Sequence, residues 1–201
     1  MLNKLEKRII DISYKQGLSH IGSCLSVINI LDEIYSQKKP NEKVVLDGGH
    51  SHLAHMIIKE KYEDFKVPKV HDIHCNKKDG CDVPTGSLGM GLGISCGMAL
   101  ADRSKRVFCI VTDGSMMEGS NWEALRIADE LELDNLKIYC VANGYGAYKK
   151  IDPDLLEARI NLFNPRVMFK RINLPKWSFI TDLQEMHYRV LSKSDYEELT
   201  K

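Results

Sequence analysis

The sequence predicts an α/β fold in which a parallel sheet carries helices on both faces. Short apolar runs typical of strands alternate along the chain with longer segments in which apolar residues recur every three or four positions. Strands that alternate with helices pair in parallel, because each connection crosses back over the sheet. The chain has 201 residues, which is enough for one such domain. Residues 1–201 are therefore predicted to form a single domain.

The first half of the chain is predicted to contain three helices and one strand. Apolar residues at helical spacing predict helices over residues 2–16 and 24–36. Residues 44–46 form an apolar run that ends at an Asp-Gly-Gly turn, which is typical of a buried strand. A helix is predicted over residues 50–61. Residues 66–85 contain two prolines and no periodic pattern, which predicts a long loop of the kind that often carries function.

The second half continues the alternation of helices and strands. Its predicted elements are a glycine-rich helix over 87–102, a strand over 107–111, a helix over 118–132 and a strand over 136–142. Residues 151–201 have a weaker pattern. They are expected to form a short helix, a strand near 167–172 and a helix from Ser192.

Composition excludes several classes of function. The chain is 43% hydrophobic and 28% charged, as in ordinary packed domains. Its 28 basic residues balance its 28 acidic ones, so it lacks the basic excess that nucleic-acid binding requires. The longest apolar run is far shorter than a membrane span, and no secretion signal is visible. We therefore expect a cytoplasmic protein whose six cysteines are reduced thiols.

Polar residues follow two neighbouring predicted strands. Asp113-Gly114 comes after the strand over 107–111, and Asn143 comes after the strand over 136–142. Ligands of open α/β sheets bind at the carboxyl ends of parallel strands. Carboxylate and amide oxygens suit Mg²⁺ that completes its coordination with phosphate oxygens and water. Gly114 would let the backbone approach a diphosphate closely. The sequence thus predicts a magnesium and diphosphate site at this edge.

The same region resembles the thiamine diphosphate motif of transketolases. The matching residues are Asp113-Gly114, Glu118-Gly119-Ser120-Asn121-Trp122-Glu123-Ala124, Asp134-Asn135-Leu136 and Asn143. Upstream, Ser19-His20-Ile21-Gly22-Ser23, Gly49-His50 and Thr85-Gly86-Ser87-Leu88-Gly89-Met90-Gly91-Leu92-Gly93 match the family in order. The resemblance covers residues 5–145, with a fainter match at His187-Tyr188. It implies a thiamine diphosphate-binding fold with thiamine diphosphate and Mg²⁺ as cofactors.

The resemblance also implies roles for individual residues. Asp113 and Asn143 would bind Mg²⁺ through their side chains, and Tyr145 through its backbone carbonyl. Further cofactor contacts are expected from His50, Gly86, Ser87, Leu88, Gly114, Ser115 and Glu118. The implied catalytic residues are His20, His50, His74 and His187, which would line the channel to the reactive carbon, together with Glu118 and Glu123 between paired cofactors. Imidazoles suit this work because they exchange protons near neutral pH.

Two departures from the family bear on function. Thr112 stands where the family usually has glycine, beside the expected diphosphate. In addition, nothing after residue 145 resembles the pyrimidine-binding domain, which supplies the glutamate that activates the cofactor. We therefore expect a split enzyme, in which a separate pyrimidine-binding subunit completes the site and two such pairs form a heterotetramer. The isolated chain would then have negligible activity.

The expected reaction is the transfer of a two-carbon ketol unit between sugars or sugar phosphates. One alternative is a component of a thiamine-dependent 2-oxoacid decarboxylase or dehydrogenase, although such enzymes are not expected to keep the histidines at positions 20, 50 and 74. The other is a non-catalytic module that binds a partner. The identity of the donor and acceptor sugars does not follow from the sequence.

Other motifs favour structural explanations. The glycines within residues 86–97 do not follow a predicted strand, as a dinucleotide-binding loop would require. Around the predicted loop, His71, His74, Cys75 and Cys81 lack the paired short spacings of most structural zinc sites. The remaining histidines, His52, His55 and His71, are expected to be structural.

Overall fold

The chain folds around a four-stranded parallel sheet. The computed structural model describes residues 2–70, 72–146, 149–174, 177–179 and 187–200. Within them the strands are β1 (Lys43–Leu46), β2 (Val107–Thr112), β3 (Leu136–Ala142) and β4 (Met168–Arg171). They lie in the order β1-β2-β3-β4, and every neighbouring pair is parallel. The predicted α/β class with a parallel sheet is confirmed.

Seven α-helices surround the sheet in the part of the chain that is described. They are α1 (Lys4–Gln16), α2 (Ile21–Tyr35), α3 (His52–Tyr62), α4 (Gly91–Ala101), α5 (Gly119–Glu130), α6 (Pro153–Phe163) and α7 (Lys193–Thr200). Short 3₁₀ turns cover Gly49–Ser51, Lys77–Asp79 and Ser115–Met117. None of the described helices combines the length and the apolar character needed to cross a bilayer.

The sheet separates two apolar cores, one on each face. Successive side chains of a strand point to opposite faces. Accordingly, Phe108 and Ile110 pack in the core with α1, α2 and α3, whereas Cys109 and Val111 pack in the core with α4, α5 and α6. All four side chains are buried. Helices therefore cover both faces of the sheet, as the sequence predicts.

The predicted helix over 87–102 is the main element that differs. Helix α4 begins only at Gly91, and residues 86–90 form a loop instead. The apolar pattern alone favours a helix here. The backbone amides of Gly89 and Gly91, however, donate to the buried Asp47 carboxylate, and Gly89 adopts a φ of +88° that a helix excludes. A tertiary contact therefore overrides the local pattern.

The remaining elements match their predictions closely. The predicted helix over 50–61 appears as a 3₁₀ turn followed by α3, and the loop over 66–85 contains only the short turn at Lys77–Asp79 among its described residues. In the last quarter of the chain, α6, β4 and α7 occupy the places expected for a helix, a strand and a helix. The loop ahead of residues 86–97 contains no described strand, so the dinucleotide-binding alternative gains no support.

Candidate active site

A cavity of about 390 Å³ opens at the carboxyl ends of the strands. The loops after β1, β2 and β3 contribute to it, together with the start of α2 and the segment that precedes α7. Its described lining residues are His20, Gly22, Ser23, Ser26, His50, Ile73, His74, Leu88, Thr112, Asp113, Gly114, Val141, Asn143, Tyr145, Gly146, Leu174, His187 and Tyr188. A cavity therefore lies at the edge of the sheet where the sequence predicts a site.

Asp113 lies at the base of this cavity, directly after β2. One carboxylate oxygen accepts hydrogen bonds from the backbone amides of Asn143 (2.9 Å) and Gly144 (2.7 Å), and the other accepts one from the amide of Gly114 (3.0 Å). The side chain is buried, and burial raises its pKa. A buried carboxylate held by backbone amides favours a bound cation.

Asn143 follows β3 and turns toward the same point. Its side-chain nitrogen donates to the hydroxyl of Ser26 on α2 (3.0 Å), and its side-chain oxygen accepts from the amide of Tyr145 (2.9 Å). The two strands are in register up to Thr112 and Val141, which brings these loops together. The sequence pattern therefore correctly places Asp113 and Asn143 side by side.

The available oxygen donors fit Mg²⁺ bound together with a phosphate ligand. Carboxylate, amide and backbone carbonyl oxygens are the ligands that this cation prefers, and it usually retains waters or substrate oxygens. The described residues contain no cluster of three or more His, Cys, Asp or Glu side chains around a metal position. A cation beside Asp113 would thus need phosphate oxygens to complete its coordination.

Three imidazoles in the cavity lining lie close to one another. The ring centroids of His20 and His187 lie 4.3 Å apart, and the ring of His50 lies 5.2 Å from each of them. Burial, followed by repulsion from the neighbouring imidazoles, lowers the pKa of His20 to about 4 and that of His50 to about 3. Burial also lowers the pKa of His187. The three rings are therefore neutral at neutral pH.

The backbone of His20 is constrained at the start of α2. Its φ of 61° lies in the left-handed region, which costs a non-glycine residue about 1–2 kcal/mol. Its amide donates to the carbonyl oxygen of His187 (3.1 Å), and its Nδ1 hydrogen-bonds to the hydroxyl of Ser19 (2.7 Å). The segment before α7 therefore helps to fix the ring of His20 in the cavity. Strain of this kind is common at functional sites.

His74 stands at the rim of the cavity, on the long loop before α4. Its Nδ1 lies 3.0 Å from a carboxylate oxygen of Asp72, and both side chains are about half-exposed. A Cβ atom built on Gly86 would lie 3.6 Å from the His74 ring, so the two residues are in contact range. Of the other residues on this loop, Cys75 and Cys81 are buried free thiols, and His71 lies outside the described residues.

Close backbone contacts fix the neighbouring loops. The hydroxyl of Thr85 donates to the carbonyl oxygen of Leu46 at the end of β1 (2.6 Å). A Cβ atom on Gly49 would lie only 2.0 Å from the Thr85 carbonyl oxygen, so no other residue fits at position 49. This contact holds the turn that carries His50 against the loop that carries Leu88.

The structure brings nine of the predicted site residues together and leaves five outside the cavity lining. The nine are His20, His50, His74, His187, Leu88, Asp113, Gly114, Asn143 and Tyr145. Gly86 and Ser87 lie on the adjoining loop, and the buried Ser115 hydroxyl bonds to Thr112 within the turn after β2. Glu118 is exposed beside Gly89. Glu123 is exposed on α5 and pairs with Arg126.

Thr112 uses its side chain to close the turn after β2. Its hydroxyl accepts from the amide of Ser115 (3.1 Å), while its own amide donates to the Ser115 hydroxyl (2.7 Å). The side chain also reaches the cavity lining. The threonine therefore occupies space next to Asp113 that a glycine would leave open.

Sequence reasoning missed several residues that shape the cavity. Gly22, Ser23 and Ser26 all reach it from α2, and Ser26 anchors Asn143. Their signal is visible in retrospect, because small residues at three positions near the start of α2 leave room for a ligand beside the helix. Tyr188 also lines the cavity, beside His187. At Asp47, which lies behind the cavity wall, the sequence pattern indicates only a turn.

Known proteins resemble this chain over most of its length. The profile of the family described as 1-deoxy-D-xylulose-5-phosphate synthase matches residues 1–145. Transketolase-like protein 2 of Bos taurus is 34% identical over 161 residues, which is 68% of this chain and 26% of that protein. Human transketolase is 31% identical over 189 residues, which is 82% of this chain and 30% of that protein. The chain thus spans between a quarter and a third of the length of these relatives.

Solved structures show the same fold. A mutant transketolase of Pichia stipitis superimposes with a TM-score of 0.70 at 16% identity, covering 98% of this chain and 40% of that one. Transketolase of Campylobacter jejuni gives a TM-score of 0.65 at 16% identity, covering 85% of this chain and 38% of that one. Both likenesses agree with an α/β fold built on a parallel sheet.

Proposed function

Because the chain belongs to the family of transketolases and 1-deoxy-D-xylulose-5-phosphate synthases, we propose that it binds the diphosphate and Mg²⁺ of thiamine diphosphate in a transketolase-type enzyme. The proposed reaction transfers a two-carbon ketol unit between sugars or sugar phosphates. The family implies the cofactor and a divalent metal, and the donor and acceptor sugars are not specified by the residues of this chain.

One observation carries the proposal. Asp113 and Asn143, from the ends of two neighbouring strands, line the same cavity as the neutral imidazoles of His20, His50 and His187. A cation and a diphosphate would be bound beside the first group, and the hydroxyl groups of a sugar would be bound by the second. Glycine at position 114, also in the lining, has no side chain to obstruct the diphosphate.

The chain's own residues have distinct roles in this proposal. Thiamine diphosphate, when bound, supplies the electron sink for cleaving a carbon–carbon bond next to a carbonyl. Asp113 and Asn143, with the backbone carbonyl of Tyr145, would hold the metal and so orient the diphosphate. His20 and His50 are neutral at physiological pH because their pKa values are lowered, so each can accept a hydrogen bond from a sugar hydroxyl.

We propose that a separate pyrimidine-binding subunit completes the site and that two such pairs assemble. The α4 face, defined by Gly93, Ile94, Gly97 and Leu100, supports an interface. Ile94 and Leu100 are exposed, and a Cβ atom on either glycine would meet nothing within 4 Å. Exposed apolar and small residues allow another helix to approach closely. Gly93, Gly97 and Leu100 of this face line a shallow groove, and the exposed side chain of Glu123 on α5 also borders that groove.

The proposal is tested by an assay with and without the pyrimidine-binding half. The purified chain is mixed with a polypeptide that resembles this half, in Mg²⁺ and thiamine diphosphate, and ketol transfer from a ketose to an aldose is measured. We expect turnover only when both halves are present. Turnover by the chain alone would contradict the partner requirement. No transfer and no cofactor binding by the mixture would contradict the proposed function.

A second candidate reaction uses a 2-oxoacid as the donor. The sequence leaves this alternative open, and the family profile that matches residues 1–145 is described by the name of a synthase rather than of a transketolase. The same mixture supplied with a 2-oxoacid and an aldehyde acceptor distinguishes the two reactions. Carbon dioxide release without ketose-dependent transfer would favour this second candidate over the first.

A further inference from the structure

A buried carboxylate behind the cavity wall connects the loops that shape the site. Asp47 follows β1 directly, and it is 0% exposed. It does not belong to the cavity lining, and the sequence motifs predict no role for it. A fully buried carboxylate is costly unless its oxygens are well supplied with hydrogen bonds, so its partners show what it stabilises.

The side chain of Asp47 accepts from three N–H donors on the loops and helices beside the cavity. One oxygen accepts from the amide of Gly91 (2.5 Å), at the first residue of α4. The other accepts from the amide of Gly89 (2.9 Å) and from the side-chain nitrogen of Asn121 on α5 (3.1 Å). Hydrogen bonds to a carboxylate are stronger than those between neutral groups, and the positive end of α4 adds to this effect.

Hydrogen bonds from Asn121 and Ser120 extend the contacts of Asp47 to the two segments beside the expected diphosphate position. The side-chain nitrogen of Asn121 also donates to the carbonyl oxygen of Ser115 (2.9 Å), in the turn that follows Asp113 and Gly114. The hydroxyl of Ser120 donates to the carbonyl oxygen of Gly89 (2.7 Å), next to Leu88. Asp47 therefore joins the loop over 86–90 to the turn over 113–115 through two short chains of hydrogen bonds.

Steric limits leave little freedom in this arrangement. A Cβ atom on Gly91 would lie 2.7 Å from the Cα atom of Asp47, so the start of α4 packs directly on the aspartate backbone. A Cβ atom on Gly89 would lie 2.5 Å from the Ser120 hydroxyl, and its φ of +88° also favours glycine. Glycine at positions 89 and 91 therefore allows the backbone to approach the Asp47 carboxylate closely enough for these hydrogen bonds.

We propose that Asp47 is a positioning residue that holds the loop over 86–90 and the turn over 113–115 in the conformation that receives the diphosphate. Its effect on the cofactor acts through these two segments, since its carboxylate is sealed from the cavity. The part of the inference that concerns the cofactor rests on the proposed function. The part that concerns the two segments rests on the contacts of Asp47 alone.

The first test measures amide hydrogen exchange by NMR in the full chain. Asp47→Asn keeps the size of the side chain but turns an NH₂ group toward at least one N–H donor. We expect exchange at Gly89 and Gly91 to become about 10- to 100-fold faster, as the loss of charge-assisted hydrogen bonds implies. Exchange in β2 and β3 should stay unchanged, which separates positioning from general support of the fold.

Glu42→Gln is the matched control. Glu42 is also a buried carboxylate, but it pairs with Arg106 and lies just before β1, at the opposite end of the strands from the cavity. This variant should leave exchange at Gly89 and Gly91 unchanged. Unchanged exchange at these glycines in Asp47→Asn, or equal acceleration throughout the sheet, would overturn the inference.

The second test titrates thiamine diphosphate with Mg²⁺ into the assembled protein. Asp47→Asn should weaken binding about tenfold or more, and Glu42→Gln should not change it. Equal affinity of Asp47→Asn and the unsubstituted protein would overturn the cofactor part of the inference. If the unsubstituted protein binds no cofactor, the proposed function fails, and the exchange measurement still decides whether Asp47 positions the two segments.

Discussion

Two groups of histidines in this molecule share lowered pKa values but differ in their access to the cavity and in the groups around them. The cavity histidines, His20, His50 and His187, face one another across an open space. The buried pair, His52 and His55 on α3, is sealed in the interior, with ring centroids 6.2 Å apart. Both ring nitrogens of His52 and the Nδ1 of His55 have no hydrogen-bond partner among the described residues.

The comparison teaches that burial alone produces the electrostatic signature often taken for an active site. Burial lowers the pKa of His52 to about 4 and that of His55 to about 3, as it does for His20 and His50. A perturbed pKa identifies a site only together with access and with converging groups. The cavity histidines meet both conditions because Asp113 lies in the same cavity. The buried pair meets neither.

The largest expected difference between the two groups is in activity. In the assembled enzyme, His50→Gln should lower kcat about 10- to 100-fold, since it removes an imidazole proposed to hydrogen-bond the substrate. His55→Gln is the matched control, and it should retain the activity of the unsubstituted enzyme. Steady-state kinetics of both variants provide the measurement. Equal losses in the two would show that the distinction is wrong.

The next effect is on stability in acid, to which each histidine of the buried pair contributes. Unfolded histidines bind protons near pH 6.5, whereas folded His52 and His55 do so only near pH 4 and pH 3, so the unfolded state gains protons first as the pH falls. Stability is therefore lost below about pH 6.5, by about 2 kcal/mol for each imidazole at about pH 5.

Urea unfolding of His52→Leu checks this expectation. Between about pH 7 and about pH 5, the free energy of unfolding should decrease in both proteins. The decrease should be about 2 kcal/mol smaller in this variant than in the unsubstituted chain. His74→Leu is the comparison variant, because its side chain is about half-exposed. A pH dependence that is the same in His52→Leu as in the unsubstituted chain would contradict the assignment of a sealed, neutral imidazole.

A smaller effect is expected from the single hydrogen bond of the buried pair. The hydroxyl of Tyr35 lies 2.7 Å from the Nε2 of His55, and both groups are buried. Tyr35→Phe leaves this nitrogen without a partner and should cost about 1–2 kcal/mol of stability. Thermal unfolding measures the loss, and kcat of the assembled enzyme should not change. A loss of activity with unchanged stability would connect the pair to the cavity.

The smallest effect is expected at the rim of the cavity. Asp72 and His74 are about half-exposed, and polar contacts between such side chains contribute little because water competes for both groups. In the variant Asp72→Asn, the amide oxygen of the new side chain can still accept from the backbone amide of His74, as Asp72 does now (2.9 Å). Chemical denaturation should show a change within about 0.5 kcal/mol. A loss of more than about 1 kcal/mol in the free energy of unfolding would contradict the small contribution expected for this pair.

The comparison also shows what the sequence can and cannot predict. The convergence of Asp113 and Asn143 follows from strand order, because parallel strands in register end at one edge of the sheet. His20 and His50 lie far apart in sequence, and only the family resemblance brings them to one site. The sequence does not reveal the role of Asp47, because two of its partners are backbone amides, which leave no pattern in the sequence.

The loop over 86–90 also shows that local sequence patterns miss tertiary contacts, here in the predicted start of α4. Small apolar residues from position 87 onward favour a helix, and local propensity contains no information about a carboxylate 42 positions earlier in the chain. The structure shows that this carboxylate delays the start of α4 to Gly91. Tertiary hydrogen bonds to buried groups are therefore the features that local sequence patterns describe least well.

The central claim is that Asp113 and Asn143 hold the metal of a bound diphosphate cofactor. The most direct measurement is a crystal structure of the chain with its pyrimidine-binding half, thiamine diphosphate and Mn²⁺ in place of Mg²⁺, with anomalous scattering used to locate the metal. We expect the anomalous peak beside the Asp113 and Asn143 side chains, next to the diphosphate. A bound cofactor with its metal elsewhere, or a cavity that excludes the diphosphate, would contradict the claim.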